Sequence, residues 1–230
     1  MRKLSFIFEG REMNKSISAS ESSRRIQEIC YLTKVVPVLS VENVEDSIPL
    51  GRALLDGGLK VLEVTLRTKN ALNVIREMSK IDGVIVGVGT LINRKDVQDA
   101  VEAGARFGVS PGTTDAIIGA CEEEGLPLLG GVSSVSEAIQ MLERGYDTVK
   151  FFPAEVSGGV SALKAFAGPL PQMRFCPTGG VNQNNAKNYL GQNNVACVGG
   201  SWMAPQEMIN KKEWDIIQSM AEVASKIGCK

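Results

Sequence analysis

The sequence predicts an α/β fold: one closed barrel of parallel strands alternating with helices, preceded by a single extra helix. Three observations predict it. A unit of short apolar strand, polar turn and amphipathic segment recurs about every 20 to 25 residues, the pattern of parallel βαβ units. Eight such units can be marked between residues 35 and 227. Their strand ends collect the glycines, prolines, hydroxyls and charges, and in a (β/α)8, or TIM, barrel the active site is built at those carboxyl ends. A chain of 230 residues has room for one such barrel. The domain reading is therefore a flexible N-terminal tail over 1–19 and a single barrel domain over 20–230.

The elements follow in order. Ser20 to Tyr31 reads as a helix capped by Ser20, with Ile26, Ile29 and Cys30 on one face to plug or flank the barrel. The first strand is Val35 to Ser40, with a helix from Asn43 to Leu55 that ends at Gly57-Gly58, where a left-handed cap forms easily. The second is Val61 to Arg67, with a helix from Asn70 to Lys80, and the third Val84 to Val88, with Lys95 to Ala103. Phe107 to Ser110 precedes Thr114 to Glu124, and Pro127 to Gly130 precedes Val135 to Arg144. The sixth strand lies around Lys150, with a helix beginning near Gly159. Arg174 to Pro177 is followed by Asn184 to Leu190, and Val195 to Val198 by a closing helix from Glu213 to Ile227.

Composition removes several function classes. Lys and Arg number 25 against 26 Asp and Glu, a net charge of -1 that gives no general pull toward nucleic acid or anionic membrane. The chain has no histidine, so no imidazole-dependent triad or histidine-ligated metal is available, and a metal site would have to use carboxylates or thiols; no metal site and no cofactor are expected. The five cysteines, Cys30, Cys121, Cys176, Cys197 and Cys229, are scattered and form no Cys-x-x-Cys pair, which points to a reducing, cytoplasmic setting. The apolar run Leu4 to Phe8 is cut by Glu9 and Arg11, too short for a signal-peptide core.

The stretch Asp147-Thr148-Val149-Lys150-Phe151-Phe152-Pro153 sets one lysine in an otherwise apolar strand. Alternation puts Lys150 on the same face as Thr148 and Phe152. Burial disfavours an ammonium, and the neutral amine it leaves is able to attack a ketone as a Schiff-base lysine does. The competing reading is an edge strand whose lysine reaches solvent. In the second strand Glu63, Thr65 and Arg67 share one face, which makes Glu63 a candidate general acid or base and Arg67 a candidate carboxylate clamp. The alternatives are a structural Glu63–Lys150 ion pair and a solvated Arg67. Thr90 ends the third strand, on the face of Val84, Val86 and Val88, and Ser110-Pro111-Gly112 turns after the fourth. Thr178-Gly179-Gly180 and Gly200-Ser201 close the seventh and eighth strands, where such barrels commonly bind phosphate through glycine backbone amides and a following helix start; the competing reading is plain turn chemistry.

Six segments together carry a resemblance. They are Leu62–Thr68, Gly87–Thr90, Ser110–Gly112, Lys150–Glu155, Arg174–Gly180 and Gly199–Trp202. The chain resembles the class I 2-keto-3-deoxy-6-phosphogluconate (KDPG) / 4-hydroxy-2-oxoglutarate (KHG) aldolases. The resemblance implies a Schiff-base lyase of the Entner-Doudoroff pathway, cleaving KDPG to pyruvate and glyceraldehyde 3-phosphate and in many members acting on KHG too. It implies a homotrimer, Lys150 as Schiff-base residue, Glu63 as proton carrier, and Arg67 and Thr90 at the pyruvate end. Thr178, Gly179, Gly180, Gly200 and Ser201 match the phosphate end, and Pro111 and Phe152 join the substrate-binding set. The expected partner is a phosphorylated keto acid, with no nucleic acid and no membrane. Rival readings are an aldolase for the galactonate analogue, another phosphate-binding barrel enzyme such as an isomerase, and a non-catalytic sensor.

Overall fold

A computed structural model describes residues 16–228. Residues 1–15 of the expected tail, and Cys229, lie outside the described residues. The first helix, α1, spans Ala19–Leu32. Its cap is Ser18, not Ser20. Ser18 holds extended backbone angles and its Oγ accepts from Glu21 N at 3.3 Å, while the Ile17 amide is already tied to the Glu122 carbonyl at 2.8 Å. Ile26, Ile29 and Cys30 pack with Val61, Ile85 and Leu129, so α1 seals the amino ends of the strands with apolar side chains.

The strands and helices then alternate. β1 (Val35–Leu39) leads through a 3-10 turn to α2 (Ser47–Asp56), and β2 (Val61–Thr65) to α3 (Ala71–Met78). β3 (Ile85–Gly89) precedes α4 (Arg94–Glu102), β4 (Gly108–Val109) precedes α5 (Asp115–Glu123), and β5 (Leu128–Leu129) and β6 (Gly131–Val132) precede α6 (Val135–Glu143). β7 (Thr148–Phe151) is followed by α7 (Gly159–Ala167), and β8 (Arg174–Pro177) by α8 (Ala186–Leu190). β9 (Val198–Gly200), α9 (Gln206–Asn210) and α10 (Trp214–Ser225) complete the described chain. The left-handed position expected after α2 is Gly58, at φ 91°.

Every ladder is parallel. Six strands pair in the order β5-β4-β3-β2-β1-β9 and three in the order β6-β7-β8, with single bridges Phe175↔Val195 and Thr178↔Gly199 between the two sets. The expected fifth strand, Pro127 to Gly130, holds β5 alone, and a second piece, β6, follows beyond its expected end and pairs to the other sheet. The break falls at Gly130, where the Thr113 hydroxyl donates to the Gly131 carbonyl at 2.7 Å and occupies a ladder acceptor. The eighth strand starts later than expected. Val195 makes one bridge only, and pairing with β1 runs from Val198 through Gly200, so the glycine pair lies inside the strand.

Alternation separates two cores. Leu62, Val64, Val86 and Val88 pack outward against the helices, while Val61 and Ile85 face inward onto α1. Buried serines fasten α1 in place. Ser23 Oγ donates to Asp147 Oδ1 at 2.7 Å and accepts from Asp147 N at 2.9 Å, and Ser22 Oγ accepts from Leu128 N at 2.9 Å. Ser23→Ala strands these groups away from water and is expected to lower stability by about 1–3 kcal/mol. Urea unfolding should show an earlier midpoint with an unchanged slope.

Candidate active site

Lys150 sits in β7 because Thr148-Val149-Lys150-Phe151 is held on both sides, Lys150 pairing with Gly131 and with Cys176. Its inward direction brings the side chain toward Glu63, which β2 holds between Val38 of β1 and Gly87 of β3. The two groups come from different sheets and meet across the interior, Nζ to Oε1, at 3.5 Å. Their side chains are only 6% and 4% exposed. The contact satisfies a charge pair and fails as a hydrogen bond: Glu63 Oε1 is buried without a hydrogen-bond partner. Lys150 Nζ also lies 5.0 Å from the Phe152 ring centroid, on the strand face the alternation predicts.

Small residues make room for this pair. On β3 the inward positions are Ile85, Gly87 and Gly89. A Cβ on Gly87 would overlap the Phe107 ring, and one on Gly89 would overlap Oε1 of Glu63. Thr90 does not follow the outward face of Val86 and Val88 as alternation suggests. Its φ of 69° turns it out of register, and it lines the pocket. Arg67 is likewise not on a strand: β2 ends at Thr65, and Arg67 is an exposed turn residue whose side chain still reaches the pocket.

One pocket of about 540 Å³ takes in Lys150, Arg67, Thr90, Pro111 and Phe152, and also Thr178, Gly179, Gly180, Gly200 and Ser201. That volume suits a small metabolite. Glu63 lies behind Lys150 and is not part of the lining. Gly179 and Gly180 adopt φ of 95° and 81°, open to glycine and strained for other residues. The loop is braced from behind. Ala154 N donates to Thr178 O at 2.8 Å, Glu155 N to Gly179 O at 3.1 Å, and Asn185 Nδ2 to Gly180 O at 3.0 Å. The Glu155 carboxylate accepts from the Tyr189 hydroxyl. Burial, then that carboxylate, pushes the Tyr189 hydroxyl above its ordinary value, so it remains a donor. The helices after these loops are short, α8 and α9 having five residues each, so the helix-start contribution expected there is small.

Sequence reading missed Val38, Ser40, Val181, Ala204, Pro205 and Gln206, all of which line the pocket. For Val38 and Ser40 the signal was present, since alternation from the inward Val36 points both inward. Gln206 belongs to α9, which interrupts the strand–helix repeat. Among the described residues no cluster of cysteines and carboxylates is arranged to hold a metal, and no helix is long and apolar enough to cross a membrane.

The sequence profile of KDPG and KHG aldolases matches residues 26–220. The chain belongs to that family. The KHG/KDPG aldolase of Escherichia coli (strain K12) is 44% identical over 191 residues, covering 83% of this chain and 90% of that one. The KDPG aldolase of Legionella pneumophila, solved with pyruvate captured at low pH as a covalent carbinolamine, superposes with a TM-score of 0.84 at 42% identity, covering 86% of this chain and 97% of that one. The enzyme of Zymomonas mobilis ZM4, solved with 3-phosphoglycerate, gives 0.85 at 42% identity, covering 89% and 97%.

The packing of Glu63 against Gly89 gives a test of the site. In Gly89→Ala the new methyl displaces the carboxylate from Lys150. Turnover is expected to fall about 100-fold, the scale of an ångström misplacement, with the fold retained by circular dichroism.

Proposed function

We propose that this protein is a class I Schiff-base aldolase that cleaves KDPG to pyruvate and glyceraldehyde 3-phosphate. The observation that carries the reading is the buried Lys150–Glu63 contact at 3.5 Å, with Oε1 of Glu63 unclaimed, on a pocket whose far rim is the Gly179-Gly180 loop. The Lys150 amine attacks the C2 ketone and water leaves, forming an iminium. The iminium accepts the electron pair of the C3–C4 bond as it breaks and becomes an enamine, while the C4 hydroxyl proton passes through a bridging water to Glu63 and the aldehyde departs. Protonation of the enamine at C3 and hydrolysis release pyruvate and restore the amine. Neither step asks for a metal or cofactor.

Arg67 and Thr90 hold the substrate carboxylate, on the side of β2 and β3, with Pro111 and Phe152 walling the pyruvate end. Thr178, Gly179, Gly180, Gly200 and Ser201 take the phosphate, where backbone amides approach an anion without side-chain interference. The same site would cleave KHG, an activity the Escherichia coli relative carries in its name. The proposal extends to a cytoplasmic homotrimer of the Entner-Doudoroff pathway with one domain over residues 20–230. It also treats the two sheets as a single closed eight-stranded barrel, in which β5 and β6 are one strand interrupted at Gly130 and the two bridges join β8 to β9.

Borohydride reduction in the presence of pyruvate tests the chemistry. Mass spectrometry is expected to find one reduced pyruvyl adduct, on Lys150, and Lys150→Ala to lose it. An adduct on another lysine, or none on the wild type, overturns the assignment.

A further inference from the structure

Ser40 lines the pocket beside residues assigned to both ends of the substrate, yet nothing above gives it a task. Its hydroxyl lies 3.0 Å from the Thr65 hydroxyl, and Thr65 Oγ1 lies 2.8 Å from the Leu39 carbonyl. A hydroxyl has one proton, and a carbonyl only accepts. Thr65 must therefore donate to Leu39, which leaves Ser40 as the donor to Thr65. Thr65 is fully buried, so no solvent competes for this arrangement. The half-buried Ser40 oxygen is left with lone pairs alone to offer the pocket. It is an acceptor by construction, suited to a substrate hydroxyl and unsuited to a carboxylate or phosphate.

Topology says which hydroxyl. In the sheet, β1 stands between β9, which carries Gly200, and β2, which carries Glu63. Ser40, the residue after β1, is thus placed between the phosphate end and the proton-transferring carboxylate. The register Val38↔Glu63 and Leu39↔Val64 sets Ser40 level with Thr65, two residues nearer the mouth than Glu63, a rise of roughly 6.6 Å. With the C4 oxygen linked to Glu63 through a water beside Lys150, the next oxygen toward the phosphate is on C5. We propose that Ser40 is a specificity-determining residue that accepts a hydrogen bond from the C5 hydroxyl of the phosphorylated six-carbon keto acid. The inference rests on the aldolase reading above. KHG carries an ionised carboxylate at C5, which cannot donate, so Ser40 favours the phosphorylated substrate of the two.

The test compares wild type and Ser40→Ala by kcat/KM on KDPG, on KHG and on the 5-deoxy analogue of KDPG, with borohydride trapping by pyruvate in parallel. Loss of one hydrogen bond predicts a fall of about tenfold on KDPG. The preference for KDPG over its 5-deoxy analogue should shrink by the same factor, and so should the KDPG-to-KHG ratio. An equal loss on all three substrates, or none on KDPG, overturns the proposal while trapped Lys150 leaves the aldolase reading standing. A wild type that is not trapped at all sinks both.

Discussion

The structure is built around taking one amine and one carboxylate out of water together. Moving either charge alone into an apolar interior costs several kcal/mol (order of magnitude), and the pair regains it only if the two approach closely. Here the approach spans two sheets, Lys150 from one and Glu63 from the other. That demands space inside a packed interior. The inward glycines Gly87 and Gly89 provide it, one accommodating the Phe107 ring and the other the Glu63 carboxylate itself. It also demands that water be kept from beneath. Helix α1 does so with Ile26 and Ile29, held by the Ser22 and Ser23 hydrogen bonds to backbone beside β5 and β7. Helix α1 in this way closes the interior on the amino-end side of the strands.

Much of this was legible in the sequence, for an identifiable reason. Burial on a strand leaves a period of two, and that period correctly paired Glu63 with Thr65, Lys150 with Phe152, and set Leu62 and Val64 against the helices. Every sequence-selected residue other than Glu63 lines one pocket, and Glu63 touches the lysine behind it. The failures come where the period stops being the controlling constraint. Thr90 at φ 69° leaves the strand register, and Arg67 follows a strand that has already ended. The break at Gly130 depends on a hydroxyl from a distant loop, Thr113, which no local pattern announces. Ser18 displaced Ser20 as cap because the Ile17 amide was anchored to Glu122, a tertiary fact.

The proposed reading gives the pocket two anion-binding ends, and they differ in where each sits in the fold. Arg67 is exposed on a turn, so its charge is hydrated in the folded state at little desolvation cost. The glycine loop carries no side-chain charge. Its backbone is fixed by hydrogen bonds from Ala154, Glu155 and Asn185, and the Glu155 carboxylate in turn accepts from the Tyr189 hydroxyl. Between these ends lies Ser40, whose single proton is already committed. In the proposed pose the ligand lies along β9, β1 and β2 in the order anion, hydroxyl, reacting carbon. On that proposal the orientation of one proton, set by the buried Thr65, would separate a substrate that continues with a hydroxyl from one that ends in charge.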